Sequence, residues 1–147
     1  MVIILIAHTS KQKWLLYFYK SMESQLIQIP STRKNEIVSQ YLRELDTHIQ
    51  ELKSGFAGNT LTIKDFAEKL FVHPVHLSNT IKEVTGSSTC QLYEERLIKI
   101  SKELLAETGL PISVIAHQLT YDPSNFTKFF KQYTGMTPRH FRAELRK

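Results

Sequence analysis

The 147-residue sequence has a single cysteine and no long hydrophobic run, and each scarcity excludes a class of protein. One cysteine, Cys90, cannot form an internal disulfide, which is typical of proteins in a reducing cytoplasm. The apolar run from Val2 to Ala7 has six residues, whereas a helix that spans a bilayer needs about 20. No basic segment precedes this run, as one would in a signal peptide. The composition therefore predicts a soluble cytoplasmic protein with no membrane partner.

The sequence does have an excess of positive charge, and most of that excess lies near the C-terminus. The formal net charge is +5, and residues 122–147 contain six basic and two acidic residues. A positive balance of this kind favours nucleic acid or an anionic surface as a partner. Hydrophobic residues make up 41% of the chain, so a folded core is expected and a disordered chain is excluded.

An internal repeat with a period of 49 residues is the strongest pattern in the chain. The stretch LTIKDFAEKLFVHPVHLSNTIKEVTG, from Leu61, aligns without a gap on LPISVIAHQLTYDPSNFTKFFKQYTG, from Leu110. In both copies a proline opens a second helix and a glycine follows its end, which are the positions these residues favour. Two short helices joined by a tight turn form a helix-turn-helix. The repeat therefore predicts two such units.

Two further amphipathic segments complete a predicted all-α fold, in which a linker helix joins the helix-turn-helix units. The predicted segments are an N-terminal extension (1–35), an amphipathic helix and its loop (36–60), the first helix-turn-helix (61–90), the linker helix (91–109), and the second helix-turn-helix with a C-terminal helix (110–147). The extension has no clear period, and Met22 within it is a hypothetical alternative start.

The second helix of each unit, predicted at about 74–84 and 123–133, is the candidate for contact with double-stranded DNA. A major groove about 12 Å wide accepts one helix, whose outward side chains then reach the base edges. The outward positions are Val75, His76, Ser78, Asn79 and Lys82 in the first unit, and Ser124, Asn125, Thr127, Lys128 and Lys131 in the second. With a rigid linker, the two helices are predicted to enter successive major grooves about 34 Å apart. One chain would then cover an asymmetric site as a monomer.

Two stretches carry a resemblance to a known family. The first is CQLYEERLIKISKELLAETGLPISVIAHQL, which covers the linker, and the second is NFTKFFKQYTGMTPRHFR. Together, within residues 61–142, they resemble the DNA-binding domain of the AraC/XylS family of bacterial transcription regulators. The matching signature residues are Phe126, Phe130, Lys131, Gly135, Thr137, Pro138 and Arg142. The resemblance implies sequence-specific binding of promoter DNA, with RNA polymerase as a further candidate partner.

The chain departs from the family pattern in three respects. Thr120 stands where the family usually has glycine, and the turn TYDPSN is one residue shorter than the common form. Most members also carry a ligand-sensing domain, which is too large for the 60 residues that precede Leu61. The resemblance is therefore to stand-alone members, and neither a cofactor nor a small-molecule pocket is predicted.

Some of these residues have simpler alternative roles. The aromatic residues of the second unit recur at helical spacing, which favours core packing over a base-stacking surface, with Phe129 the one that could face outward. The basic residues Lys128, Lys131, Arg139 and Arg142 could form an ordinary solvated face. The repeat and the signature instead favour contact with phosphates or bases by at least two of them.

Other classes of function have less support in the sequence. His73 and His76 lack a third ligand at metal-binding spacing. No glycine-rich phosphate loop and no Ser-His-Asp order is present, so no catalytic residue is predicted and the protein is not expected to be an enzyme. Two rivals remain, a helix-turn-helix adaptor that binds proteins and a DNA binder without sequence preference.

Overall fold

Seven helices make up the secondary structure of residues 32–147, which are the residues that the computed structural model describes, and no strand occurs among them. The helices are α1 (32–54), α2 (Ile63–Lys69), α3 (Pro74–Thr85), α4 (Thr89–Glu107), α5 (Ile112–Gln118), α6 (Pro123–Thr134) and α7 (Pro138–Glu144). The all-α prediction with two helix-turn-helix units is confirmed. The expectations for residues 1–31, including the alternative start at Met22, lie outside the described residues.

The two helix-turn-helix units are α2 with α3 and α5 with α6, each a pair of helices in direct contact. The first unit begins with a side-chain cap, since the Asp65 amide donates to the Thr62 hydroxyl and the Thr62 amide donates to the Asp65 carboxylate at 2.6 Å. This reciprocal pair satisfies two helix-end donors. The second unit has Pro111 at the same position, with no side-chain cap. The first helix is therefore held more firmly at its start than its counterpart.

The sequence repeat is also a repeat of backbone conformation. Phe71 and Thr120, at the turns of the two units, have φ values of 54° and 65°. Gly86 and Gly135, which end the two second helices, have φ values of 76° and 77°. Only glycine adopts this left-handed region without a steric penalty, which explains why the related family favours glycine where this chain has Thr120. Both turns of this chain are therefore strained.

We expect Phe71→Gly to raise the free energy of unfolding by up to about 1 kcal/mol. Removing the steric penalty of the left-handed conformation stabilises the fold by about 1–2 kcal/mol. The greater conformational freedom of glycine in the unfolded chain offsets about 0.5–1 kcal/mol of this gain. The Phe71 side chain is 96% exposed, so little packing is lost. Urea denaturation measures the change, with Phe71→Ala as the control that shortens the side chain but keeps the strain. A midpoint for the glycine variant below that of the alanine variant would contradict the expectation.

The linker helix α4 contacts the second helix of each unit, α3 and α6, and also α5 and α7. It begins two residues before the predicted 91–109 because the Ser88 hydroxyl accepts a hydrogen bond from the Gln91 amide at 3.1 Å. It ends two residues early because Thr108 is extended, with φ −119° and ψ 152°. Its 19 residues give a rod about 28 Å long. The two units are thus mounted on one continuous helix.

Helix α1 adds a further layer to the unit formed by residues 37–147. Its inward residues are buried in the common core, and they are Ile37, Val38, Tyr41, Leu45, Ile49 and Leu52. Three ion pairs join α1 to α4, from Arg96 to Asp46 at 2.5 Å and from Lys53 to Glu103 at 2.8 Å and to Glu107 at 3.6 Å. The helix begins at residue 32 instead of the predicted 36. Residues 32–36 include good helix formers but no apolar stripe, so the period did not reveal them.

Core packing was predicted for the aromatic residues of the second unit, and the three phenylalanines of α6 agree with it, whereas Tyr133, on the same helix, is 39% exposed. Phe126, Phe129 and Phe130 are buried, and the ring of Phe130 meets that of Phe141 edge to face at 5.3 Å. Phe129 therefore points inward, where it stacks on Tyr121 with 5.1 Å between ring centroids.

Two further observations refine the picture of the helices. Val84 is 39% exposed because it lies in the last turn of α3. Within residues 32–147, no helix has both the length and the apolar character needed to cross a bilayer.

Candidate DNA-binding surface

The exposed face of α6 brings together four of the residues that the sequence singled out. Ser124, Asn125, Lys128 and Lys131 are all exposed and follow one another at helical spacing. The helix contains no acidic residue, so this face is uniformly neutral or positive. Asp122 lies just before the helix and accepts a hydrogen bond from the Ser124 amide at 3.0 Å. The cap fixes the first turn, which carries Ser124 and Asn125.

The exposed face of α3 is more apolar and less charged. Val75 is 60% exposed, and His76, Asn79 and Lys82 are also exposed, whereas Ser78 is half-buried. The helix is capped by His73, whose Nδ1 accepts from the Val75 amide at 3.3 Å. This face therefore offers an apolar contact and an amide more than positive charge.

Lys82 and Lys131 occupy equivalent positions in the repeat but have different surroundings. The Lys82 ammonium donates to the carbonyl of Gly86 at 2.7 Å, where it stabilises the end of α3. Lys131 donates no such bond within residues 32–147 and is exposed. A cation near a helix C-terminus is favourable by about 0.3–1 kcal/mol, so Lys82 would give up part of that energy to reach a phosphate. Lys131 is the freer of the two.

Thr127 is half-buried, and its hydroxyl donates to the carbonyl of Pro123 at 2.9 Å. That bond uses its one donor, which leaves only acceptor capacity and the methyl group for a partner.

The two arginines of α7 separate into different roles. Arg139 is exposed. Arg142 is half-buried and donates to the carbonyls of Leu105 and Leu110, at 3.2 Å from Nε and 2.7 Å from Nη1. Burial lowers the pKa of Arg142, although a guanidinium keeps its charge in proteins. Arg142 therefore ties α7 to the junction between the linker helix and the second unit, whereas Arg139 is the exposed arginine of α7.

His73, which was considered with His76 for metal binding, caps α3. No group of three or more His, Cys, Asp or Glu side chains in the described part of the chain is arranged to hold a metal. Cys90 is exposed at the start of α4.

A buried histidine, His48, is a feature that the sequence pattern did not reveal. Its Nε2 accepts from the Leu61 amide at 3.3 Å and lies 3.2 Å from the Tyr93 hydroxyl, while Nδ1 is 3.9 Å from the Glu51 carboxylate. An amide can only donate, so Nε2 is the acceptor and the proton of the neutral ring is on Nδ1. Burial lowers the pKa of His48, and the nearby Glu51 charge only partly opposes this.

We expect His48 to make the fold less stable in acid. Because its pKa is lowered in the folded state, the unfolded chain binds the proton more tightly, and stability rises with pH. The full contribution is present above about pH 6.5, the ordinary value, and declines as pH falls below it. Urea midpoints between pH 7.5 and 5 measure the decline, which His48→Gln should reduce and His76→Gln, at an exposed site, should leave unchanged. An identical decline in His48→Gln would contradict this assignment.

Two helix-turn-helix units on one linker helix, each presenting a polar second helix, define a bipartite DNA-binding domain. Comparison with known proteins agrees with this class, since the family described as "Helix-turn-helix domain" matches residues 66–144. The chain therefore belongs to this family of AraC-type helix-turn-helix proteins.

Three known proteins illustrate the relationship. The HTH-type transcriptional regulator YisR of Bacillus subtilis is 30% identical over 122 residues, which are 82% of this chain and 39% of that protein. The C-terminal domain of AraT, a response regulator from Geobacillus stearothermophilus, is 34% identical, with a TM-score of 0.58 and coverage of 68% of this chain and 84% of that one. A Chromobacterium violaceum transcriptional regulator of AraC-type has 19% identity, a TM-score of 0.64, and coverage of 78% and 96%, which shows the fold alone.

This chain spans only part of its curated relatives. It covers 39% of YisR and 11% and 36% of two other Bacillus subtilis regulators, YtdP and YobQ. The similarity therefore concerns the DNA-binding portion that they share.

Proposed function

We propose that this chain is a sequence-specific regulator of transcription that binds double-stranded promoter DNA with α3 and α6 in successive major grooves. A single chain covers an asymmetric site without dimerising, acts in the cytoplasm and performs no catalytic step. The family membership supports the DNA-binding class. Contact with RNA polymerase stays a prediction.

The exposed face of α6 is the observation that carries this proposal. Its serine, asparagine and lysines can donate to or accept from base edges, and lysine also neutralises phosphate. The opposite face of α6 is fixed by the buried phenylalanines, so the polar face is presented without rotation of the helix. Arg139, exposed in the helix that follows, adds a cation beside the same unit. We assign to α6 both base contacts and most of the phosphate contacts.

The first unit has a different role in this proposal. Val75 can contact a thymine methyl group and Asn79 can pair with adenine, while the Lys82 ammonium is engaged at the end of its own helix. Readout by α3 therefore depends more on shape and apolar contact than on charge. Salt should accordingly weaken binding to the half of the operator that α6 contacts more than binding to the half that α3 contacts.

The linker helix supports the simultaneous binding of both units. It is about 28 Å long and contacts both reading helices, so their separation does not depend on a loose tether. One turn of DNA is about 34 Å, a distance of the same order.

Selection of bound sequences from a random duplex library, at two salt concentrations, tests the proposal. An asymmetric motif over about two helical turns is expected. Binding without sequence enrichment would indicate a non-specific DNA binder, and no binding would favour a protein adaptor. A DNA reader that neutralises several phosphates should also show a log-log salt slope near −0.9 per contact, whereas an adaptor has no affinity for DNA to measure.

A further inference from the structure

A cavity of about 370 Å³ lies within the unit of residues 37–147, where α1, the first helix-turn-helix, the linker helix and the turn of the second helix-turn-helix meet. Its size falls in the range of small-molecule sites, about 300–1,000 Å³. The sequence did not reveal it because its lining comes from separated segments of the chain.

Four aromatic side chains form part of the walls of the cavity. Tyr41, Phe66, Tyr93 and Tyr121 all line it, and the Tyr41 and Phe66 rings meet edge to face at 5.2 Å. Tyr41 and Phe66 are buried in the core, which holds this side of the cavity rigid. Aromatic faces attract cations as well as apolar groups.

Glu94 is the only charged side chain among the described residues that line the cavity. One of its oxygens, Oε2, accepts a hydrogen bond from the hydroxyl of Tyr133, which is not part of the lining. The carboxylate is thus held from outside the cavity, and its other oxygen has no hydrogen bond within residues 32–147. A fixed, half-buried carboxylate beside aromatic faces favours a positively charged ligand.

Tyr41 supplies a second polar group, its hydroxyl, to the lining of the cavity. Tyr41 is 99% buried, lines the cavity and makes no hydrogen bond through its hydroxyl in the described part of the chain. Burial raises the pKa of Tyr41 to about 12, so the group is a neutral hydroxyl at physiological pH. Among the described residues the one fully buried polar atom without a partner is Nη2 of Arg142, so the Tyr41 hydroxyl oxygen keeps some exposure and is open to a hydrogen bond from a ligand.

We propose that the cavity is a binding site for a small organic cation with an apolar body, of the arylalkylammonium class. The aromatic walls surround the hydrocarbon part, the Glu94 carboxylate faces the ammonium group, and the Tyr41 hydroxyl accepts a hydrogen bond.

The position of the cavity couples its ligand to the DNA-binding surface. Phe66 belongs to the first unit, Glu94 to the linker helix, and Tyr121 to the turn that precedes α6. At the rim, the hydroxyls of Thr60 and Thr120 are 2.5 Å apart, which joins the loop before α2 to the second unit. A ligand that contacts both helix-turn-helix units binds with an affinity that depends on their relative orientation. If DNA binding favours one orientation, DNA and ligand change each other's affinity by the same factor.

Calorimetric titration of the full chain with phenethylammonium chloride tests the site directly and without DNA. We expect saturable binding with a dissociation constant of about 0.1–1 mM for a ligand of this size. The neutral isostere 2-phenylethanol should bind at least about tenfold more weakly, since it lacks the charge that the ring faces and the carboxylate attract. Equal affinity for the two compounds, or no binding of either, would overturn the proposal.

A matched pair of variants locates the charge that is recognised. Glu94→Gln should weaken phenethylammonium binding about tenfold and leave 2-phenylethanol binding unchanged. Glu95→Gln removes the same charge from the neighbouring position, which does not line the cavity, and should bind as the wild type does. Equal loss in both variants would mean that the ligand responds to general surface charge, against the proposal.

Cys90 supplies an independent readout on the wild-type chain, because it is the single cysteine and lines the cavity. At a phenethylammonium concentration four times the dissociation constant, one fifth of the sites stay free, so alkylation by iodoacetamide should slow about fivefold. An unchanged rate at that concentration would place the ligand elsewhere and reject the site. None of these measurements uses DNA, so failure of this proposal leaves the proposed DNA-binding function unaffected.

Discussion

Replacing Lys128 by alanine is expected to reduce the discrimination between the selected operator and its single-base variants by about 1–3 kcal/mol. Lys128 is exposed in the middle of the polar face of α6, between Asn125 and Lys131. A lysine in that position can donate to guanine, and if it does, its loss should affect one or two base pairs and leave the others unchanged. Competition binding with the operator and a set of point variants measures the effect.

The control for this variant is Lys102→Ala, which removes the same charge from an exposed position on the linker helix. It should lower affinity slightly on all sequences, through net charge alone, and leave discrimination unchanged. If Lys128→Ala instead weakens binding equally on every sequence, Lys128 is a phosphate contact, and the salt slope should then decrease by about one contact.

Arg142→Ala is expected to lower the free energy of unfolding by about 2–3 kcal/mol. The guanidinium donates to the carbonyls of Leu105 and Leu110, and hydrogen bonds to a charged group are worth about 1.5–3 kcal/mol each. The third nitrogen, Nη2, is buried without a partner in the described residues, and this cost offsets part of the gain. Urea denaturation of both proteins measures the difference.

Arg139→Ala is the matched variant with the opposite expectation. Arg139 is exposed in the same helix, so its removal should change stability by no more than about 0.5 kcal/mol but weaken DNA binding. Arg142→Ala, under conditions where it stays folded, should keep the charge-dependent salt slope of the wild type. The assignment fails if Arg142→Ala lowers the slope without destabilising the fold, or if Arg139→Ala destabilises it.

Much of the helical architecture could be predicted from local signals. These signals act within one or two turns of a helix. They are the Thr62 cap, the prolines at the start of α3 and α6, and the glycines that follow both helices. The reading helices were predicted at about 74–84 and 123–133, and each extends one residue further. The ends of the linker helix were harder to predict from the sequence, because they depend on hydrogen bonds of Ser88 and Thr108 that leave no periodic pattern.

The separation of roles among similar residues could not be predicted in the same way. Lys82 and Lys131 are equivalent in the repeat, yet only the first is engaged at the end of its helix. Phe129 could face outward by its spacing, but the ring of Tyr121, from the preceding turn, covers it.

The sequence by itself determined the repeated helix-turn-helix plan, the polar faces of α3 and α6 and the family to which they belong. These depend on period, capping and composition, which are properties of neighbouring residues. Only the tertiary structure decided that Arg142 holds α7 in place, that His48 is buried against Tyr93, and that Tyr41 and Glu94 face one cavity. The hydrogen bonds of Arg142 and the one between His48 and Tyr93 join residues that lie 32 or more positions apart, and Tyr41 and Glu94 belong to different helices. No local pattern in the sequence encodes contacts of this kind.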